Sequence, residues 1–322
     1  MALSEYDYNV DWKQAFKVES LRYHPEAKFS HAFNVSGKDE VLQGPQSTLI
    51  IAHYKEKDVL TDVHIVSRFS TTILPPPFET TKKDNPMFQH TLNYVYLVFH
   101  EKVYRCRYNH TKWEFVGKGE LIICSLDTDD CIIEAQRKSS LIEIALEGNS
   151  KESVLTERNK KNSVGITLIK YNIRSHFMGL SGDRIYQETR RGGPIDVYSY
   201  REGVKKLSTI YSTGYFFESL WNNYIISRDD THKKYYVTDC RDLDNIKPPV
   251  QIKMDFTCSD WVITNDGYLL GNHQTYHIPT NTITDCRWYN PVCSANGNLI
   301  ANPIWDEEGD HIERWEVFEQ NE

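Results

Sequence analysis

The chain has 322 residues, of which 39% are apolar, 12% aromatic and 25% charged. This composition excludes an intrinsically disordered chain, and the length fits one large β domain or two smaller domains. The formal net charge of −8 argues against a protein that coats nucleic acid over its whole surface, because phosphate neutralisation requires positive charge.

Helical periodicity is limited to an N-terminal segment. Trp12, Phe16, Val18 and Leu21 form one apolar stripe, which ends at Pro25. We therefore predict a short helical extension over residues 1–28. The first eight residues have neither a basic start nor a following apolar run, and no stretch of the chain reaches about 18 uninterrupted apolar residues. We expect neither a secretion signal nor a membrane span.

From Phe29 onward the chain has the pattern of short β-strands. Runs of β-branched and aromatic residues, such as Thr48–Ala52, Leu92–Phe99 and Leu141–Leu146, alternate with turns rich in Gly, Asn, Asp and Pro. Many short strands with few helices indicate a sandwich, a barrel or a propeller.

An internal repeat of about forty residues distinguishes among these folds. Its clearest mark is an aromatic residue within a predicted strand, and four such residues are separated by 38, 40 and 39 positions: Tyr198, Tyr236, Tyr276 and Trp315. Steps of similar length from Tyr104 reach Ile65 and Glu143. The interval from Glu143 to Tyr198 is longer, at 55 residues, and its charged stretch at 148–162 predicts an inserted loop. Seven repeat positions result.

The repeat length has a direct structural meaning. One four-stranded sheet with its turns uses about forty residues, and its two apolar faces need neighbouring sheets to cover them, so such sheets close into a ring. Five residues follow Val317, too few for the last outer strand, and we expect an early strand such as Phe29–Val35 to supply it. The sequence thus predicts an all-β, seven-bladed β-propeller over residues 29–322.

Two resemblances to known families bear on this prediction. The period and the turn placement resemble the broad WD40-like class of seven-bladed propellers over about Phe29 to Phe318, although no unit has the Gly-His pair of that class and Trp315-Glu316 only echoes its Trp-Asp pair. Separately, the run from Lys102 to Leu121 is similar to Ran-binding members of the pleckstrin-homology-like superfold. This second resemblance implies a small barrel at about 50–150 and a second β domain.

The sequence lacks the common motifs of catalysis, including Gly-x-Ser-x-Gly, His-Glu-x-x-His and Gly-x-x-x-x-Gly-Lys. His273 and His277 are four residues apart in a predicted turn and strand, which separates them by about 13 Å and prevents them from sharing a zinc ion. Asp127, Asp129 and Asp130 are expected to lie on a solvated hairpin tip. We predict no catalytic residue, metal site or cofactor, with an enzyme site in the propeller channel as an alternative.

The cysteines and the basic residues bear on location and partners. Seven cysteines contain no Cys-x-x-Cys pair, and their odd number suggests reduced thiols in the cytoplasm or the nucleus. Between Lys151 and Lys206, twelve Lys or Arg accompany six acidic residues. Four of these cations are our candidate contacts to an acidic peptide or a phosphate backbone, two in a turn and two on an outer strand: Arg190, Arg191, Lys205 and Lys206.

A run of prolines is the remaining candidate contact. Pro75, Pro76 and Pro77 lack three backbone donors, so they predict a stiff extended loop that serves as a docking segment or as a connector. Together these features predict a non-catalytic interaction scaffold that binds a protein partner on an end face of the propeller. Binding of nucleic acid by the basic 151–206 segment is the alternative, and no membrane association is expected.

Overall fold

The computed structural model describes residues 28–119, 121–134, 141–146, 160–161, 167–172, 177–188, 190–200, 205–211, 215–229, 231, 233–254 and 261–321. Within these ranges the helical segments are two short 3₁₀ turns, Glu56–Asp58 and Lys82–Asp84. Apart from Lys28, the helical extension predicted at 1–28 lies outside the described residues. The helices of the described ranges include none that is long and apolar enough to cross a membrane.

The described residues form 29 strands in seven antiparallel sheets, which we number as blades in chain order. Blade 1 contains β2 (Glu40–Gln43), β3 (Leu49–Tyr54), β4 (Leu60–Val66) and β5 (Thr71–Leu74). Blade 2 contains β6 (Met87–His90), β7 (Tyr94–Phe99), β8 (Lys102–Arg107) and β9 (Glu114–Lys118). Blade 3 contains β10 (Leu121–Cys124), β11 (Cys131–Glu134), β12 (Leu141–Leu146), β13 (Lys160–Lys161) and β14 (Thr167–Asn172). Blade 4 contains β15 (Phe177–Ser181), β16 (Arg184–Glu188), β17 (Ile195–Ser199) and β18 (Lys205–Ile210). Blade 5 contains β19 (Phe216–Trp221), β20 (Tyr224–Asp229), β21 (Lys234–Asp239) and β22 (Val250–Ile252). Blade 6 contains β23 (Val262–Ile263), β24 (Tyr268–Leu270), β25 (Gln274–His277) and β26 (Thr282–Asp285). Blade 7 contains β27 (Val292–Cys293), β28 (Leu299–Trp305), β29 (Ile312–Gln320) and β1 (Phe29–Ser36).

The repeat positions found in the sequence each lie in the third strand of one of the seven sheets. They lie in β4, β8, β12, β17, β21, β25 and β29: Ile65, Tyr104, Glu143, Tyr198, Tyr236, Tyr276 and Trp315. The fifth strand of blade 3, β13, falls in the long interval between Glu143 and Tyr198. The predicted all-β propeller fold is confirmed.

Blade 7 combines strands from the two ends of the described chain. Its outer strand β1 pairs antiparallel with β29, from Phe29 opposite Gln320 to Ser36 opposite Arg314. Val35 of β1 is buried in one apolar cluster with Trp315 and Val317. The outer strand of blade 7 is therefore the early strand expected around Phe29–Val35.

The apolar core lies between neighbouring blades rather than inside one sheet. Alternate residues of a strand point to opposite faces, so β7 contributes to two separate clusters. Val95 and Leu97 pack with residues of blade 1, whereas Tyr96 and Val98 pack with residues of blade 3. Because each blade covers the faces of its neighbours, a single blade would leave both of its apolar faces in water.

The barrel alternative for residues 50–150 is wrong. Lys102–Arg107 and Glu114–Lys118 pair within blade 2, whereas Leu121–Cys124 is the first strand of blade 3. The hairpin that resembles a Ran-binding domain is thus the outer pair of one blade, and its strands pair within that sheet instead of around a barrel.

The turns between the first and second strands of the blades lie at one end of the propeller, which we call the lower end. The opposite end of the propeller, which carries the turns between the second and third strands, is the upper end. Turns at the lower end form hydrogen bonds with the turns of neighbouring blades. Asp129 of blade 3 accepts from the backbone N–H and the side chain of Asn93 in blade 2, at 2.7 and 2.8 Å. Asp127 accepts from the Ser181 hydroxyl and from the N–H of Gly182 in blade 4, at 2.7 and 3.0 Å.

These contacts correct the expectation of a solvated hairpin tip at Asp127, Asp129 and Asp130. Asp130 is only 1% exposed and accepts a hydrogen bond from the hydroxyl of Tyr200. The carboxylates are engaged because the ring brings the turn of each blade within hydrogen-bonding distance of the next one. They therefore join neighbouring blades.

Candidate functional site: a groove between blades 4 and 5

A groove of 350 Å³ lies between blades 4 and 5. Its lining residues come from the facing strands of the two blades, from the connector between these blades and from one loop of blade 5: Ile195, Thr209, Ile210, Tyr211, Tyr215, Ile225, Ser227, Thr238, Ile246, Lys247, Pro248 and Pro249. Ile195, Ile210 and Ile225 also belong to the apolar cluster between these blades. The groove therefore has an apolar floor that continues into the core.

Tyrosines line the upper part of the groove. The ring of Tyr215 stacks on that of Tyr236 in β21, with a centroid distance of 4.2 Å and an interplanar angle of 12°. The hydrogen bond between the two phenols, followed by desolvation, raises the pKa of Tyr236 above its usual value. Tyr211 is 80% exposed, which is unusual for so large a side chain beside an apolar groove.

The opposite wall is a loop of blade 5 between β21 and β22. Leu243 and Ile246 pack against the apolar cluster between blades 4 and 5, which fixes the loop on the blade. Lys247, Pro248 and Pro249 follow on the surface, and all three are exposed. Because proline fixes its φ angle, this wall is stiff and presents one cation beside two apolar rings.

Two of the predicted contact residues lie at the upper end of this groove. Arg190 and Arg191 occupy the turn between β16 and β17, and both are exposed. The guanidinium of Arg191 lies 4.5 Å from the ring centroid of Phe216, the neighbour of Tyr215 in sequence. The turn is fixed by two hydrogen bonds, from Gly193 N–H to the Arg190 carbonyl at 2.7 Å and from Gly192 N–H to Glu188 at 2.9 Å. Arg191 thus places a positive charge beside the aromatic ring that follows Tyr215 in the chain.

Lys205 and Lys206 lie elsewhere on blade 4. They begin β18, opposite Ser199 and Tyr198, whereas Ile210 at the other end of β18 lines the groove. Five residues of extended strand separate Lys205 from Ile210 by about 16 Å. Lys206 is also paired with Asp196, at 2.7 Å. The structure therefore does not bring these lysines together with Arg190 and Arg191.

The proline run connects blades 1 and 2. Pro75, Pro76 and Pro77 follow β5, and the carbonyl of Pro75 accepts a 3.0 Å hydrogen bond from the Trp113 indole. Phe78 then stacks on Phe99 of blade 2, with a centroid distance of 4.3 Å. The run lies at the upper end, as Arg190 and Arg191 do, but on a different pair of blades. Much of the basic 151–206 segment lies outside the described residues.

The central channel contains a second cavity, of 270 Å³. Gln43 of blade 1 spans it, donating to the carbonyl of Ile263 in blade 6 at 2.9 Å, and its Oε1 lies 3.1 Å from Nε2 of His90 in blade 2. Burial lowers the pKa of His90 to about 4. The described residues that line this cavity include no carboxylate.

Sequence reasoning missed the groove. Tyr211, Tyr215 and the Pro248-Pro249 pair are visible in the sequence, but about 35 residues separate them, and strand patterns do not show which outer elements of adjacent blades meet. The single available signal was the combination of aromatic and proline residues just outside two predicted strands.

Comparison of the chain with known proteins finds similarity in structure but none in sequence. No family model and no curated protein matches the sequence. Solved structures that are similar include Hsv2 of Kluyveromyces marxianus (12% identity, 90% of this chain and 98% of that chain, TM-score 0.45) and the Pan2 WD40 domain of Neurospora crassa (12%, 91% and 96%, TM-score 0.47). Virginiamycin B lyase from Staphylococcus aureus is also similar (10%, 91% and 99%, TM-score 0.49). Similarity at this level of identity concerns the propeller architecture alone.

Proposed function

We propose that this propeller is a non-catalytic interaction scaffold, and that the groove between blades 4 and 5 holds an extended peptide segment of a protein partner. The observation that carries the proposal is the combination, in one groove, of the exposed Tyr211, of Tyr215, whose ring stacks on that of Tyr236, and of the stiff Pro248-Pro249 wall. Tyrosines provide large contact areas at a low cost in side-chain entropy, and aromatic grooves are a recurrent way to bind extended peptides.

Charge complementarity defines the peptide further. Arg190 and Arg191 lie at the upper end of the groove, and Lys247 lies on its opposite wall. An apolar or prolyl residue on the apolar floor, flanked by Asp or Glu, would satisfy both the floor and the cations. The groove therefore favours an acidic peptide with an apolar anchor.

The size and openness of the groove favour a peptide over a small metabolite. A volume of 350 Å³ is near the lower limit of small-molecule pockets, which usually enclose most of their ligand. Here the exposed Tyr211 and the exposed loop at Lys247 leave the groove open to solvent. A bound peptide would insert one or two side chains and keep its backbone at the surface.

Selection from a library of random extended peptides, followed by fluorescence anisotropy on single peptides, tests the proposal. We expect the selected sequences to share an apolar residue flanked by acids. Tyr211→Ala and Arg191→Ala should each weaken binding by about tenfold, because interface Tyr and Arg side chains commonly contribute more than 1 kcal/mol.

Matched controls lie on other blades or at the other end of blade 4. Tyr289→Ala removes a tyrosine that is 42% exposed in the connector between blades 6 and 7, and Lys205→Ala removes an exposed cation at the far end of β18. Both should bind the selected peptides as the wild type does. Selected peptides that bind Tyr211→Ala and Arg191→Ala at wild-type affinity would place the binding surface elsewhere.

A further inference from the structure

A cluster of two histidines and two aspartates lies between blades 7 and 1, on the opposite side of the ring from the peptide groove. His53 of β3 is directly opposite Asp62 of β4, and His64 lies two residues further along β4. Residues two apart in a strand share a face, so all three side chains project from the face of blade 1 that packs against blade 7. Asp39 reaches the same face from the segment between β1 and β2.

The four side chains, which we call the His53 cluster, form a chain of contacts. Asp39 Oδ2 lies 2.8 Å from Nδ1 of His53, and Nε2 of His53 lies 3.0 Å from Nδ1 of His64. Nε2 of His64 contacts Oδ1 of Asp62. The exposed fractions of the side chains are 28% for His53, 22% for His64, 27% for Asp62 and 7% for Asp39. The two histidines are thus partly buried but still accessible from the solvent.

Counting the hydrogens of these contacts shows a deficit. Both carboxylates are acceptors, so each neutral imidazole points its single N–H at its own aspartate. Nε2 of His53 and Nδ1 of His64 then carry the two lone pairs and lie 3.0 Å apart. The ring centroids are 4.0 Å apart, so the rings must rotate before both lone pairs point at one ion. Three contacts need three hydrogens, and two neutral imidazoles supply two. One further proton on either ring, or one metal ion between the two nitrogens, completes the cluster, and a metal titration distinguishes these two cases.

We propose that the His53 cluster binds one divalent transition-metal ion, with Zn²⁺ as the preferred species, through His53, His64 and Asp62. One ligand atom from each of these residues lies within 4.8 Å of the other two. The ligand atoms of a tetrahedral zinc ion are about 3.3 Å apart, so the 3.0 Å between the two ring nitrogens is already close to the required value. The wider separation to Asp62 closes by rotation of its side chain, which takes its carboxylate from Nε2 of His64 to the metal ion and leaves that N–H to water.

Asp39 has a different role, as a positioning residue. Its Oδ1 accepts from the N–H of Tyr54 at 3.2 Å, which fixes the carboxylate while Oδ2 contacts His53. A carboxylate on the far nitrogen of a ligating histidine sets the tautomer and makes the near nitrogen a better ligand. Zinc sites with three protein ligands keep an open fourth position. A neighbouring cavity of 310 Å³, lined by Asn34, Ser36 and Thr71 among others, gives that position access to water.

The test is a zinc titration of the full chain, purified without a metal-binding tag and freed of metal by a chelator, in competition with a chromophoric indicator. The wild type should bind one equivalent, and His53→Gln and His64→Gln should each weaken that binding more than tenfold. Asp39→Asn should weaken binding 10- to 100-fold without removing a ligand. His273→Gln and His277→Gln, which alter histidines outside the cluster, should bind within twofold of the wild type.

Co²⁺ distinguishes this site from binding by the cysteines. The wild-type Co²⁺ complex should show the visible bands of tetrahedral nitrogen and oxygen coordination and lack a thiolate charge-transfer band. A wild type without a saturable equivalent, a His64→Gln variant with unchanged affinity, or a thiolate band would each overturn the proposal. If His53→Gln fails to fold by circular dichroism, Asp39→Asn and His64→Gln decide the result. None of these outcomes depends on the peptide groove.

Discussion

The hydroxyl of Tyr200 in blade 4 donates a 2.7 Å hydrogen bond to Oδ2 of Asp130 in blade 3. Tyr200 is fully buried, and Asp130 is 1% exposed. A buried carboxylate needs donors, since water no longer solvates it. This bond therefore both satisfies Asp130 and joins two blades at the lower end of the ring.

Removing this hydroxyl should destabilise the propeller measurably. Tyr200→Phe keeps the ring packing and deprives a buried carboxylate of one donor, which should cost about 2 kcal/mol of unfolding free energy. The matched control is Tyr198→Phe, because Tyr198 lies two residues away and donates to the half-buried Asp196 at 3.3 Å. We expect the control to cost less than about 0.5 kcal/mol in urea unfolding. Equal losses in the two variants would contradict this role for Tyr200.

A second prediction concerns Gly267, where blades 5 and 6 meet. Gly267 has a φ of +87°, and a Cβ built on it would lie 2.5 Å from the Trp221 ring of blade 5. Gly309 has a similar φ of +76°, but a Cβ there would meet no atom within 4 Å. Gly309→Ala therefore isolates the backbone strain, about 1 kcal/mol, whereas Gly267→Ala adds the displacement of a buried tryptophan.

Thermal and urea unfolding of the two glycine variants measure the difference. Gly267→Ala should be the less stable by a further 1–3 kcal/mol or so, and the near-ultraviolet circular dichroism of Trp221 should change in this variant alone. Identical stabilities would mean that Trp221 can move aside freely, in conflict with the close packing of this blade boundary.

Parts of this architecture were predictable from the sequence for a specific reason. In six of the seven blades the repeat position of the third strand holds an aromatic or β-branched residue, and Glu143 of blade 3 is the exception. The spacing is nearly constant over the last four positions, Tyr198, Tyr236, Tyr276 and Trp315. The expectation that an early strand around Phe29–Val35 completes the last sheet agrees with the pairing of β1 and β29. Such local and periodic features survive in a single sequence because every blade has to solve the same packing problem.

Contacts between blades were not predictable in the same way. Asp130 and Tyr200 are 70 residues apart, and nothing in either local pattern indicates the other. His53 and His64 illustrate a weaker signal that was missed. Asp62-Val63-His64 alternates along a predicted strand, so its two polar side chains share a face, but the pairing of that strand with the one that carries His53 requires the hairpin register.

The buried His90 makes stability depend on pH. Burial lowers its pKa from 6.5 to about 4, so the folded protein favours the neutral imidazole and the unfolded chain binds a proton more readily. The contribution of His90 to stability is therefore complete above about pH 6.5 and is lost as the pH falls through 4. The whole change amounts to about 3 kcal/mol.

Urea unfolding at pH 7 and pH 4.5 tests this dependence. His90→Gln should lose less stability than the wild type between these values, by about 2 kcal/mol, even if the substitution lowers stability at pH 7. His277→Gln serves as the control and should keep the wild-type difference. Carboxylate protonation affects all three proteins alike, so the comparison isolates His90. Parallel losses in His90→Gln and the wild type would show that His90 does not titrate in this window.

The pairing of β1 with β29 leads to a last prediction, about closure of the ring. Val35 is 7% exposed and packs with Trp315 and Val317, whereas Ala32, three residues earlier in β1, is exposed and lies at the register shift of this strand pair. Val35→Asp should cost more than about 3 kcal/mol, because it buries an unpaired carboxylate, and Ala32→Asp should cost less than about 0.5 kcal/mol.

Loss of β1 would also expose the edge of β29, which can pair with other chains. Light scattering of Val35→Asp should therefore show concentration-dependent association below its unfolding midpoint, and Ala32→Asp should stay at the wild-type mass. A monomeric Val35→Asp variant with wild-type stability would mean that β1 contributes little to closing the ring.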